Sequence, residues 1–171
     1  MSWTAPSTWV AGAVLTAAEL NEQLRDNMLA IGAPWTAYTP ALTSVTLGTG
    51  GTVSGAYMNA GKLVAVRFLL TLGTGGSFTG FVTLGLPSGL SISASYAARC
   101  PVGQFGARDD SAGTLYEGSI VRQSGATYDA VSLFAYNASA TYVTASAVGA
   151  AIPFTWAASD TLYGSLLYEA A

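Results

Sequence analysis

Few residues in this chain have the type and spacing that chemistry needs. Asp109 and Asp110 are its one adjacent pair of carboxylates, in Ala107-Arg108-Asp109-Asp110-Ser111-Ala112-Gly113. Two carboxylates facing a cleft can cleave a glycosidic bond, and clustered oxygens can hold Ca²⁺. The pair lacks the further spaced ligands of a calcium loop, and its Ser and Gly neighbours read as a polar turn. Glu117, Asp129, Asp160 and Glu169 combine with it in many ways, and nothing selects one. The chain has no histidine, so neither a Ser-His-Asp nor a Cys-His apparatus can be built. Cys100 is the single cysteine. It has no intrachain disulfide partner and no imidazole to activate it, and it reads as a small strand residue. One thiol among scattered carboxylates matches no zinc spacing. Gly48-Thr49-Gly50-Gly51 and Gly73-Thr74-Gly75-Gly76 lack the Gly-Lys-Ser/Thr ending of a phosphate loop. The expectation is a structural protein with no catalytic residue, cofactor or metal site.

Binding is the remaining chemistry. Tyr116, Tyr128, Phe134, Tyr136 and Tyr142 lie along the strands of the second half. They read as core or cross-strand pairs, with a carbohydrate- or protein-binding face as the alternative. Trp3 and Trp9 stand close together in an irregular arm over residues 1–15. They either tuck against the chain's own helix or anchor the arm in a neighbouring protein, where Trp is a favoured anchor.

The helix carries clear punctuation. Thr16 and Glu19 have capping-box spacing, and Gly32 and Pro34 end the segment. Leu20, Leu24, Asn27 and Ile31 are spaced four, three and four, the seam of a coiled coil with one polar position. A helix this short is marginal alone, so its stripe must pack. The expected partner is the same helix of sister chains, with Asn27 fixing register; packing on the parent domain is the alternative. The connector, residues 33–40, holds Trp35 and Tyr38 between two prolines and reads as extended and pinned to the domain.

From residue 41 short alternating runs with glycine punctuation take over. Ala41–Leu47 and Thr52–Met58 read as a hairpin around Gly48–Gly51. Lys62–Leu72, Phe78–Leu84, Ala94–Cys100, Val102–Arg108, Leu115–Gln123, Ala126–Tyr136, Thr141–Val148 and Thr161–Tyr168 read as further strands. Eight or more strands at about 8–12-residue intervals predict a mainly β fold, an antiparallel β-sandwich of jelly-roll type preceded by one short α-helix. The expected division is residues 1–40 as anchoring arm and oligomerisation helix, and residues 41–171 as the sandwich.

Composition bounds the partners. The chain has 171 residues and a net charge of −3, and 9% of its residues are charged, against roughly 25% in an ordinary domain. Its five arginines, at 25, 67, 99, 108 and 122, are scattered, and Lys62 is the only lysine. This excludes the clustered basic face that nucleic acid requires. The most apolar run, Leu63 to Leu72, contains Arg67 and is too short to span a bilayer. The N-terminus lacks the basic stretch of a secretion signal, so synthesis in a cytoplasm is expected. A surface this poor in charge suits a protein covered by copies of itself or by a larger assembly.

The opening, Trp3-Thr4-Ala5-Pro6-Ser7-Thr8-Trp9 through Leu15-Thr16-Ala17-Ala18-Glu19-Leu20-Asn21 and Leu24-Arg25-Asp26-Asn27-Met28-Leu29-Ala30 to Pro34-Trp35-Thr36-Ala37-Tyr38-Thr39-Pro40, resembles the start of tailed-bacteriophage virion proteins, particularly from phages of actinobacterial hosts. Pro153-Phe154-Thr155-Trp156-Ala157-Ala158-Ser159-Asp160, Gly164 and Tyr168-Glu169-Ala170-Ala171 resemble their ends. The resemblance implies a trimeric β-sandwich module on the particle, of minor-tail, tail-fibre or capsid-decoration type, located in the virion and assembled in the host cytoplasm. It implies other virion proteins and a host-surface glycan as partners, with Trp3, Trp9 and Trp35 as anchors. Tail attachment is the expected site and decoration of the shell or a head fibre the alternative; a carbohydrate-binding module outside any virion is a further one.

Overall fold

The computed structural model describes residues 4–125, 128–138 and 142–171. Trp3 lies outside them. The chain is mainly β, and among the described residues helical structure is confined to the N-terminus. Ten strands follow the helix: β1 Thr36–Tyr38, β2 Leu42–Thr46, β3 Thr52–Ala60, β4 Leu63–Thr71, β5 Ser77–Gly85, β6 Pro101–Asp109, β7 Thr114–Arg122, β8 Ala130–Asn137, β9 Thr144–Ala147 and β10 Thr161–Glu169. All pairs are antiparallel, in the order β1-β3-β4-β10-β6-β7-β8-β5-β2, with β9 beside β8. β4 and β5 are consecutive in the chain, yet four strands lie between them on this path. The sheet therefore curls until its ends face each other, as in a sandwich, and the apolar faces meet inside.

β4 shows why the strands form. Val64, Val66, Phe68 and Leu70 are buried while Leu63, Arg67 and Leu69 face out, the period-2 alternation of a one-sided strand. The core also takes in Leu162 and Leu166 of β10, Phe78 and Val82 of β5, and Trp156 stacked on Phe78 with ring centroids 4.0 Å apart.

The curl is made by two copies of one five-residue sequence. Leu47-Gly48-Thr49-Gly50-Gly51 and Leu72-Gly73-Thr74-Gly75-Gly76 lie side by side. Thr49 N–H donates to the Thr74 carbonyl at 2.9 Å, Thr74 N–H donates back to Thr49 at 3.0 Å, and Gly73 N–H donates to Leu47 at 2.8 Å. β2 does not fold back on β3 as a hairpin: β2 pairs with β5, and β3 with β4. The pairing keeps one register from Ala60–Leu63 through Thr52–Thr71 and Thr49–Thr74 to Val45–Phe78. A single long hairpin, turning at Gly61-Lys62, is thus bent over at the paired glycine corners, the logic of a jelly roll. Ser44, at φ 61°, ends the shared register with a bulge.

One row across the sheet alternates aromatic residues with glycine. Tyr38, Gly55, Phe68, Gly164, Phe105 and Gly118 are successive cross-strand partners. A methyl at Gly55 would meet the Tyr38 ring, one at Gly164 the Phe68 ring and one at Gly118 the Phe105 ring. Each glycine makes room for its neighbour's ring. The row also takes Thr36–Tyr38, assigned by sequence to the N-terminal unit, into the sheet as its edge strand.

Two further sequence expectations change. Residues 94–100 form no strand. The N–H groups of Tyr96 and Cys100 close turns onto Ser93 and Ala97, that of Arg99 donates to the Arg122 carbonyl at 3.0 Å, and Arg99 sits at φ 62°. Cys100 is accordingly a half-buried turn residue with a free thiol. The helix, too, is not uniform: α1 Ala17–Leu20 and α2 Asn27–Ile31 flank a π-helical stretch, Asn21–Asp26.

Candidate functional site: the N-terminal apolar surface

The helix starts as its sequence dictates. The Thr16 hydroxyl accepts from Glu19 N–H at 3.2 Å, and the Glu19 carboxylate accepts from Thr16 N–H at 2.8 Å. The Thr16 N–H first, and second the Thr16 hydroxyl, which donates to the same carboxylate at 2.7 Å, hold the Glu19 carboxyl below its usual range.

The π stretch then decides which side chains share a face. Its i→i+5 bonds turn the chain less per residue than an α-helix does. Asn27 is carried off the line of Leu20 and Leu24 and is buried at 5% exposure. Its side-chain oxygen accepts from Thr4 N–H at 2.9 Å, and its amide donates to the carbonyls of Thr4 at 3.0 Å and Gln23 at 3.1 Å. Gln23 holds the arm again, accepting from Ser7 N–H at 2.8 Å. Asn27 therefore does not stand on an exposed seam as the sequence spacing suggests: it clamps the arm to the chain's own helix, while Ala30 buries against the body and α2 packs on β3. Replacing Asn27 with Ala removes the clamp and leaves the Thr4 groups unsatisfied, at about 1–3 kcal/mol. Cleavage of residues 4–15 by a dilute protease should then accelerate about tenfold, with the melting temperature of the sandwich little changed. Equal cleavage rates would show that the arm is held by something else.

The arm is folded back, but its apolar side chains are not covered. Trp9 is 46% exposed and Val14 88%, and on α2 Met28 is 72% exposed. Leu20, Leu24 and Ile31, the apolar members of the predicted seam, are exposed too, with Leu15 and Leu29 beside them in sequence. Trp35 is separate from this group. Arg67 of β4 stacks over its ring at 4.9 Å, which holds one face of Trp35 to the sheet.

The carboxylates serve turns and joints. Asp109 accepts from Ala112 N–H at 2.9 Å and from the Ser111 hydroxyl at 2.7 Å, and these bonds hold its carboxyl below the usual range. Asp110 pairs with Arg108 at 3.1 Å. Asp160 is buried and accepts from the N–H groups of Asp110 and Ala157, at 2.9 and 2.6 Å, tying the β6–β7 turn to the start of β10. Among the described residues no three His, Cys, Asp or Glu cluster to hold a metal, and no helix is long and apolar enough to cross a membrane.

The second-half aromatics divide. Tyr116 packs on Phe154 and Phe134 on Phe81, at centroid distances of 5.1 and 5.9 Å, and Tyr128 lies under the buried guanidinium of Arg122 at 4.4 Å. Tyr136 and Tyr142 remain exposed. Tyr163 shares the outer face with Tyr136, with β6 and β7 between them, and escapes a sequence reading because only strand order sets β10 and β8 on one stretch of sheet. No family model, curated protein or solved structure matches the chain.

Proposed function

We propose that the chain is a structural protein of a tailed-bacteriophage particle: a homotrimer attached through its N-terminal region and displaying its sandwich for host-surface binding, in the manner of a minor tail or tail-fibre protein. The observation that carries this reading is the run of exposed apolar side chains from Trp9 to Ile31 on a chain with so few charges. Large apolar side chains exposed one after another along a single segment mark a surface that packs against something else. The resemblance of residues 3–40 to phage virion proteins supplies the kind of assembly. Leu20, Leu24 and Ile31 would face sister chains. Trp9, with Trp3 on the same arm, would dock in a neighbouring virion protein, and Trp35, apart from them, would offer its free face as a further anchor.

One feature favours capsid decoration or a head-fibre role as the second reading. Only Gly32 to Trp35 separate α2 from β1, so no shaft holds the sandwich away from its attachment point. Light scattering on the purified protein at micromolar concentration should give the mass of three chains; a monomer would end the trimer reading. A stained gel of purified particles then places the protein. A few copies per particle fit the tail, and copies comparable to the major shell protein fit decoration. Absence of the chain from particles would overturn both.

A further inference from the structure

We propose that the outer face of the sheet carries a saccharide-binding trough between Tyr163 of β10 and Tyr136 of β8. The inference rests on the host-surface reading for the source of its ligand and adds the ligand's chemistry and the residues that take it. The trough crosses β10, β6, β7 and β8, with a volume of about 250 Å³. Strands lie about 4.8 Å apart, so the two tyrosines start about 14 Å from each other, and each leans inward. The Tyr163 ring covers Gly106, where a Cβ would meet the ring's Cζ at 2.8 Å. The Tyr136 hydroxyl bonds to Ser119. Because Gly106 has no side chain, the Tyr163 ring lies down against the sheet there and forms one wall of the trough.

The polar groups are arranged for hydroxyls. Glu117 is the cross-strand partner of Gly106, and Gln104 lies in the neighbouring row between Ser165 and Ser119. Gln104 and Glu117 are exposed, and among the described residues their side chains make no hydrogen bond or ion pair. The amide offers two donors and an acceptor, and the carboxylate offers acceptors in a plane, the geometry that takes adjacent hydroxyls of a sugar ring. The exposed tyrosine rings offer flat apolar faces to its C–H side.

Other ligands fit less well. Drug-sized and cofactor ligands favour enclosed sites of about 300–1,000 Å³, and this trough is smaller and open. An extended peptide would need a free strand edge, whereas β6 and β7 are paired on both sides. Glu117, with no basic residue lining the trough, disfavours anions. The ligand class is therefore a neutral saccharide, one or two rings at a time.

The test is titration of the full chain with maltose, cellobiose, mannobiose, lactose and diacetylchitobiose, followed by NMR shifts and calorimetry. At least one should bind with a Kd of about 1 mM or tighter, an ordinary affinity for so small a contact. Tyr163→Ala should weaken that binding at least about tenfold and Gln104→Ala by a similar factor, while Tyr142→Ala, outside the trough, changes nothing. Melting temperatures within a few degrees of the parent would show that the variants fold. Silence from every sugar, or equal binding by Tyr163→Ala, overturns the inference. So does binding that needs Tyr163 but not Gln104, because the hydroxyl-binding half of the proposed site would then have no part in it. A chain that joins particles as a trimer but binds no sugar loses this inference alone. One that binds sugar at Tyr163 but joins no particle loses only the virion reading.

Discussion

Gly73→Ala should lower stability by about 3 kcal/mol or more, while Gly75→Ala, two residues away in the same loop, should cost only about 1–2 kcal/mol. The two glycines look alike in sequence and do different things. A methyl on Gly73 would fall on the Thr49 carbonyl and the Gly51 amide of the opposite corner. Those are backbone atoms, with no rotamer to yield, so the corners must separate. Separation costs the paired bonds between Thr49 and Thr74 and the bond from Gly73 N–H to Leu47, each contributing about 0.5–1.5 kcal/mol net, on top of the usual overpacking penalty of about 1–3 kcal/mol. Gly75 sits at φ 77° with nothing within 4 Å of its Cβ direction; its replacement pays only the left-handed backbone penalty. For a chain of this size 1 kcal/mol moves the melting point by about 2–4 °C, so Gly73→Ala should melt about 10 °C below the parent. Equal melting points for the two variants would show that the corners bend the sheet without holding it.

The same corners mark the limit of what the sequence reveals. Gly-rich turn chemistry says that the chain bends at 48–51 and 73–76. It does not say whether the strands on either side fold onto each other or cross to the opposite end of the sheet, because that depends on which distant strand offers a partner. β4 was legible, since its alternation is a local property that survives any topology. The aromatic–glycine row was not, because Phe105 meets Gly118 only after two strands have found register. At the N-terminus the Thr16–Glu19 cap was legible for the same local reason. The π stretch was hidden: Asn21-Glu22-Gln23-Leu24-Arg25-Asp26 is an ordinary helical sequence, and what accompanies its departure from α geometry is the arm bonding to Gln23 and Asn27 from sixteen and twenty-three residues away. A four-three-four spacing presumes α-helical turning throughout, so it gathered Asn27 with residues that face elsewhere. Of the candidate site, the apolar members Leu20, Leu24 and Ile31 and the exposed Trp9 were readable from type alone.

The division of labour at that surface leads to the second large expected effect. Leu20→Asp with Leu24→Asp should convert the proposed trimer to single chains at micromolar concentration, with the sandwich melting unchanged. Both leucines are exposed within one chain, so the fold does not depend on them. Burying a leucine contributes about 1.5–3 kcal/mol, and six such side chains would be buried among three helices. Association at micromolar concentration needs about 8 kcal/mol per contact formed, beyond the cost of lost rigid-body freedom. Removing this contribution and forcing six carboxylates toward the interface, where an unpaired charge is strongly disfavoured, leaves too little to hold the copies. Trp9→Ala should do the opposite: the trimer stays, and incorporation into particles falls. Point substitution is the right tool, because deleting the arm would also strip Asn27 and Gln23 of their partners and disturb the helix. Light scattering reads the first effect and particle-associated protein on a gel the second. If the double aspartate variant remains three chains, the copies meet through another surface, and the exposed Leu63, Leu69 and Leu167 on the outer sheet face become the residues to change next.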